Sequence, residues 1–173
     1  MAPRIYYSYM ATTNVRSLKE IEEIVKRAKN NEKKIVTTNG CFDILHIGHL
    51  KNLEEAKKLG DLLIVGINSD RSVRAFKGSK RPIIPQDERA ELVAALSPVD
   101  YVFIFDEDTP KEWLAKIKPD IHVKGSDRNM DQIIEKDTVE KNGGRIALIP
   151  CVKDKSTTNV IEKIIRLFLS EKS

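Results

Sequence analysis

The sequence predicts an α/β domain built on a doubly wound, five-stranded parallel sheet, and three observations lead to it. Short apolar runs alternate with segments of helical period along most of the chain. Runs such as Leu62-Leu63-Ile64-Val65 are apolar at every position, which marks strands covered on both faces, and so parallel order with right-handed crossovers. A length of 173 residues suits one domain that buries about 70% of its unfolded surface.

Residues 1–16 carry Tyr6, Tyr7 and Tyr9 without a sustained period and read as an arm. Ser17 and Glu20 form a capping box ahead of the stripe Ile21, Ile24, Val25 and Ala28, which predicts a helix ending at Asn30 and packing outside the sheet. Residues 1–32 are thus read as arm and helix, and 33–173 as the α/β domain. A strand over 35–38 leads to a helix over 48–59 closed by Gly60, and a strand over 62–67 to a helix over 86–96. Between them, residues 71–81 read as a loop, marked by Gly78 and Pro82. The strand over 101–105 precedes a helix capped by Thr109, with Pro110 at its first position and Glu112 completing the box. A strand over 121–123, a helix over 131–141 ended by Gly143 and Gly144, a strand over 146–149 and a last helix over 157–169 follow. That last helix has a wide stripe of Val160, Ile161, Ile164, Ile165 and Phe168, which fits core more than a partner surface and leaves a homodimer seam open.

Composition narrows the partners. Thirty Lys plus Arg against twenty-six Asp plus Glu leave a net +4 and a pI near 9.0, which favours anionic partners. The basic residues alternate with acids outside 71–81 and no aromatic stacking platform appears, so no nucleic acid is expected. No apolar run approaches the ~20 residues of a membrane span, no secretory leader opens the chain, and two cysteines provide no disulfide framework. The expected location is the cytoplasm.

In a doubly wound sheet, ligands bind beyond the carboxyl ends of the strands, where strand order reverses. After the first strand come Thr37-Thr38-Asn39-Gly40-Cys41-Phe42-Asp43 and then His46-Ile47-Gly48-His49 at a helix start. With three His and eight Gly in the chain, chance places a His-x-Gly-His somewhere in such a composition about 0.2% of the time. The two histidines share a face, Gly48 lets a ligand approach the backbone, and free N–H groups favour an anion, so the cluster reads as a phosphate site. Metal ligation by both histidines with Asp43 is the competing reading, and the positive potential of a helix N-terminus opposes it.

Further residues at strand ends extend the site. Arg71, Arg74, Lys77, Lys80 and Arg81 form a basic stretch that can close over phosphates, next to Asn68-Ser69-Asp70. Arg89 sits early in its helix, where the dipole disfavours a cation, so it is expected on a phosphate. Lys124-Gly125-Ser126-Asp127 and Ser156-Thr157-Thr158 follow the fourth and fifth strands and offer hydroxyls and N–H groups to an anion. His122, Trp113 and Cys151 are expected to be packing or surface residues, and Cys41 lacks a base that would make it a nucleophile.

The segment from Thr38 through His46-x-Gly48-His49, with Val65-Gly66-Ile67-Asn68-Ser69-Asp70 and Ser156-Thr157-Thr158, resembles the cytidylyltransferase-like nucleotidyltransferases. Phe76-Lys77-Gly78-x-x-Arg81-Pro82, Asp106-Glu107-Asp108-Thr109-Pro110 and Val123-Lys124-Gly125-x-Asp127 look like the heptose 1-phosphate adenylyltransferase domain of ADP-heptose synthesis. Resemblance covers about 33–167 and makes 33–173 the nucleotidyltransferase domain. It implies a Rossmann-like fold, ATP plus a sugar 1-phosphate giving an ADP-sugar and pyrophosphate, Mg²⁺ held mainly by the nucleotide phosphates, and a homodimer. Some thirty residues precede the first strand, so the stand-alone form of the domain is expected.

By the same resemblance, His46, His49, Lys77 and Lys124 are catalytic. Thr38, Asn39, Gly40, Cys41, Phe42, Gly48, Arg89, Gly125, Asp127, Ser156, Thr157 and Thr158 bind nucleotide, and Asp43, Asn68, Asp70 and Arg81 bind the acceptor. No residue is assigned directly to a metal. Glycerol phosphate cytidylyltransferases have Arg and Gly ahead of Ser-Thr-Thr where this chain has Val152-Lys153-Asp154-Lys155, which leans towards ATP; Lys51 resembles the cytidylyl branch, so CTP with glycerol 3-phosphate stays open. A nucleotide-sensing module without transfer is the alternative of another class. If His49 stabilises charge at the reacting phosphorus, His49→Ala should lower kcat by about 10² to 10³ with folding intact, and a fully active variant would remove His49 from the chemistry.

Overall fold

The structure, a computed structural model, describes residues 14–126 and 129–169, the side chain of Leu169 excepted; Asp127 and the tyrosines of the arm lie outside the described residues. Five strands form one parallel sheet: β1 (Ile35–Gly40), β2 (Leu62–Asn68), β3 (Tyr101–Phe105), β4 (Ile121–Gly125) and β5 (Arg145–Ile149). Their order is β3-β2-β1-β4-β5, so the winding reverses between β1 and β4 and a crevice opens beyond their carboxyl ends.

The period of two along each strand sorts side chains to two cores. Val36, Leu63, Val65 and Val102 pack with Leu53 and Ala56 of α2 (Ile47–Lys57) and with Ala90 and Val93 of α4 (Gln86–Ala94). On the other face Ile35, Ile64 and Phe103 meet α1 (Leu18–Asn30), α5 (Lys111–Ile117) and α6 (Lys136–Lys141). The expected capping box starts α1, with Ser17 accepting from Glu20 N and the Glu20 carboxylate accepting from Ser17 N at 2.8 Å. The preceding residues extend the sheet edge, since Arg16 N donates to Val102 O at 2.8 Å and Val102 N to Asn14 O at 2.9 Å.

Four expectations require correction. Residues 70–77 are a helix, α3 (Asp70–Lys77), not part of a loop: Ser69 accepts from Ser72 N at 3.0 Å, Asp70 complements the dipole and Gly78 at φ 88° ends it. At α5 the N-cap position belongs to Pro110 and the box through Thr109 and Glu112 does not form. The helix expected over 131–141 divides into a 3₁₀ turn at Met130–Gln132, where Gln132 Oε1 accepts from Asn129 N at 3.1 Å, and the short α6. Finally, α7 (Thr157–Leu169) shows its stripe to solvent, Phe168 being 69% exposed and Ile164, Ile165 and Leu167 about half exposed.

Trp113, fully buried on α5, is the expected packing residue and the centre of an aromatic group. Its ring lies 5.1 Å from Phe103, 5.7 Å from Phe105 and 5.8 Å from His122. Replacing it by alanine leaves a cavity that strands on one side and α5 on the other cannot close. Trp113→Ala should cost about 3–5 kcal/mol in urea unfolding, whereas a loss under about 1 kcal/mol would mean that this cluster does not anchor α5.

Candidate active site

Beyond β1 the backbone turns through left-handed values, φ 48° at Phe42 and φ 29° at Ile44, which side chains adopt only where the surroundings impose them. Asp43, between the two, supplies the constraint. Its carboxylate is fully buried and accepts from Arg81 Nε at 2.6 Å and from Ile83 N and Ile84 N at 3.0 Å. Burial works against its charge, but these donors hold its pKa below the ordinary carboxylate value. Thr157 Oγ1 donates to Asp43 O at 3.0 Å, so α7 fixes the turn from the other side.

The turn delivers His46 to the N-cap of α2, where its Nδ1 accepts from Gly48 N at 3.1 Å, leaving Nε2 as the proton-bearing nitrogen. A Cβ at position 48 would lie 2.9 Å from that ring and 3.2 Å from Lys155 Cβ. Gly48 therefore makes room for the imidazole and for Lys155. His46 and His49 stack at 3.9 Å and 22°, with Phe42 5.2 Å from His49. Burial, then the neighbouring His46 and Lys77, lowers the His49 pKa to about 4, and burial followed by Lys155 lowers that of His46. The pair is thus neutral near pH 7 in this environment.

A cavity of about 200 Å³ lies against this group, lined by the Thr38 to Asp43 segment, His49, Lys77, Lys124, Gly125 and Thr157. Thr38 Oγ1 bonds Val123 O at 3.0 Å across the β1–β4 boundary. Cys41 is buried and its thiol pKa raised by burial, in keeping with a residue that is no nucleophile. Ser156 caps α7 by accepting from Asn159 N at 3.1 Å, and Thr158 is exposed on its first turn. A second chamber of about 450 Å³ shares Asn39, Gly40, Lys77, Lys124 and Gly125 with the first and reaches Asn68, Phe76, Asp108, Ile134 and Glu135.

Other expected contacts lie elsewhere. Arg89 is fully buried beneath the site, where its guanidinium donates to Ile84 O and Asn68 O at 2.9 Å, to Cys41 O, and to Asp70 Oδ1 at 2.7 Å. It is a strut joining the ends of β1 and β2, not a phosphate ligand. Asp70 is its counter-charge, and Asp43 and Arg81 neutralise each other, so three of the four expected acceptor contacts build the frame. Asn68 Nδ2 donates to Ser72 Oγ at 3.1 Å, and Asn68 still reaches the second chamber. Of the basic stretch, Arg71 pairs with Asp106 at 2.8 Å and only Lys77 lines the cavities.

Three residues escaped the sequence reading. Asn52 lines the first cavity one turn beyond His49, and its Oδ1, like His49 Nδ1, is buried without a partner among the described residues. The three-residue step from His49 is the signal that would have found it. His122, expected as packing, is buried with Nδ1 2.8 Å from Thr37 Oγ1 and Nε2 3.5 Å from the carboxylate of Glu135, which also pairs with Lys124. Nothing local in the sequence signals that Glu135 reaches the site.

The donor set is one of N–H groups and ammonium groups, which suits phosphate oxygens. Among the described residues no group of three or more His, Cys, Asp or Glu side chains stands at ligating distances, and the Asp43 carboxylate is already engaged. The residues present do not form a metal cage.

A parallel α/β domain with this His-x-Gly-His turn at its switch point defines a nucleotidyltransferase fold. Residues 37–163 match the cytidylyltransferase-like family, and the chain belongs to that family. It is 49% identical over 159 residues to the bifunctional protein HldE of Trichlorobacter lovleyi, covering 92% of this chain and 32% of that protein. The HldE of Geobacter metallireducens is also 49% identical, over 157 residues, with 91% and 32% covered. The chain thus spans about a third of the length of the curated relatives it matches. Among solved structures, a lipopolysaccharide core biosynthesis protein from Thermoplasma volcanium is 32% identical, with TM-score 0.60 over 71% of this chain and 99% of that one. Pantoate-beta-alanine ligase from Francisella tularensis shares the fold at 17% identity, with TM-score 0.57 over 90% and 78%.

The buried imidazoles set a pH dependence. Burial holds His49 and His122 near pKa 4, below the unfolded value of 6.5, so between these values the unfolded chain takes up protons that the folded chain excludes. Stability contributed by the neutral rings is full above pH 6.5 and is lost on acidification. The urea midpoint should therefore be lower at pH 5 than at pH 7, and an unchanged or higher midpoint at pH 5 would contradict their burial as neutral groups.

Proposed function

We propose that the chain is an adenylyltransferase joining ATP and a sugar 1-phosphate, D-glycero-D-manno-heptose 1-phosphate, to give ADP-heptose and pyrophosphate. The stacked His46–His49 pair at the start of α2, of which His49 lines a cavity walled by Lys77 and Lys124, carries this reading. The acceptor phosphate has a second pKa of about 6 and is largely ionised at neutral pH, so no general base is required. One of its oxygens attacks the α-phosphorus in line, the bond to the bridging oxygen breaks, and pyrophosphate leaves with the electron pair. His46 and His49 donate to phosphate oxygens through their ring nitrogens, and a polyanion in reach favours their protonation as charge moves to the leaving group. Lys77 and Lys124 supply fixed positive charge. Mg²⁺ rides on the nucleotide phosphates, a reading supported by a pocket of N–H and ammonium donors.

Two features support the substrates. Val152-Lys153-Asp154-Lys155 stands where cytidylyltransferases of glycerol phosphate have Arg and Gly, and Lys51 pairs with Glu54 at 2.7 Å on the outside of α2 instead of lining the cavity. Both favour ATP over CTP. The name of the Thermoplasma volcanium relative, a lipopolysaccharide core biosynthesis protein, favours a sugar acceptor. The exposed apolar residues of α7 support a homodimer, and the use of ATP supports action in the cytoplasm; among the described residues no helix is long and apolar enough to cross a membrane.

The test is a pyrophosphate-release screen of ATP, CTP, GTP and UTP against heptose 1-phosphate and glycerol 3-phosphate with Mg²⁺. Release should be fastest with ATP and heptose 1-phosphate. A faster CTP and glycerol 3-phosphate pair would move the enzyme to the cytidylyl branch, and nucleotide binding without release from any pair would make the domain a sensor.

A further inference from the structure

Lys124 occupies the wall shared by the two chambers, yet its stem carries four rotatable bonds and has no intrinsic position. A cation that stabilises charge in a transition state must be in place beforehand. Asn39 Oδ1 meets the ammonium at 2.6 Å from the end of β1, and the Glu135 carboxylate meets it from behind. Glu135 comes from the loop between the 3₁₀ turn and α6, and its side chain is only 4% exposed. His122 backs Glu135 at 3.5 Å and is held in turn by the Thr37 hydroxyl at 2.8 Å. The series Thr37, His122, Glu135, Lys124, Asn39 thus leads from the interior of the sheet to the cavity wall. A buried carboxylate and a buried imidazole are costly in a core that apolar side chains would fill, unless each is matched to its neighbour. Here the carboxylate is ion-paired with Lys124, His122 Nε2 stands 3.5 Å behind it without a hydrogen bond, and the series ends on the ammonium that Asn39 meets from the end of β1.

We infer that Glu135, backed by His122, is a positioning residue for Lys124: its carboxylate sets the ammonium where the two chambers meet and acts on transfer through that ammonium. The inference rests on the reading of Lys124 as a phosphate contact in the proposed reaction. Asn39 is a neutral acceptor and holds an ammonium less firmly than a carboxylate does. Without the charge at 135 the ammonium loses the Glu135 carboxylate and gains a wider range of rotamers. Nucleotide binding, carried mostly by the His46–His49 turn and the β1 loop, then changes less than turnover.

The experiment is a double-mutant cycle on pyrophosphate release by the full chain. Glu135→Gln should lower kcat by about 10- to 100-fold with little change in KM for ATP. Adding it to Lys124→Ala should cost nothing beyond Lys124→Ala alone, because the carboxylate works through that ammonium. Glu135→Asp keeps the charge on a shorter stem and should retain most of the parent kcat, which tests the role even if the glutamine variant does not fold. In ¹⁵N-lysine spectra an ordered Lys124 ammonium signal should be present in the parent and broadened away in Glu135→Gln. Additive losses in the cycle, a parent-like kcat in Glu135→Gln, an aspartate variant worse than the glutamine one, or an unchanged ammonium signal would each overturn the positioning role. If Lys124→Ala itself keeps full activity, the phosphate reading of Lys124 fails, and the positioning role fails with it. If Lys124→Ala is impaired and Glu135→Gln is not, the positioning role alone fails.

Discussion

Asp43 carries its charge with no access to solvent, so both carboxylate oxygens must be satisfied by protein, and together with its backbone carbonyl they bring three distant segments together. Arg81 and the backbone of Ile83 and Ile84 come from the connection into α4, while the hydroxyl of Thr157 reaches the carbonyl of the same residue from α7. Between these anchors the chain accepts left-handed values at Phe42 and Ile44, a conformation that an unrestrained loop would leave. His46 and His49 take their places only because this turn is held. The geometry of the His-x-Gly-His turn is therefore a product of a buried charge behind it, not of its own residues alone.

The same logic separates what was legible in the sequence from what was not. Patterns confined to one or two turns of chain were readable: the Ser17–Glu20 box, the strand runs, and the placing of chemistry at strand ends all follow from short-range periodicity and the winding rule. Residues 70–77 misled because a run of basic side chains near Gly78 resembles a solvated loop, while the cap on Ser69 and the anchor at Val73 are modest signals. Arg89, Asp43 and Arg81 misled for another reason. A charged residue near a phosphate motif looks like a ligand, and only the three-dimensional pairing of Arg89 with Asp70 and of Arg81 with Asp43 shows that these charges satisfy each other. Glu135 lies 13 residues beyond His122 and 11 beyond Lys124 in a segment without period, so its approach to both is decided by tertiary packing.

Electrostatically the site is divided. Deep groups are kept neutral or internally matched: the His49 and His122 rings by burial, and Glu135, despite burial, by His122 and Lys124, which hold its pKa near 2. At the cavity wall Lys77, on the end of α3, presents its charge, while the Lys124 ammonium of β4 is balanced by Glu135. This arrangement avoids the desolvation of an unpaired cation while leaving donors directed at the cavity.

The bond from Thr157 to the carbonyl of Asp43 spans 114 residues and links the last helix to the first strand's turn. During synthesis the sheet and most of its covering helices can be assembled before that hydroxyl emerges from the ribosome, but the turn lacks one of its two fastenings until then. A nascent chain would therefore become compact before its nucleotide-side turn is fastened, which waits on the synthesis of Thr157.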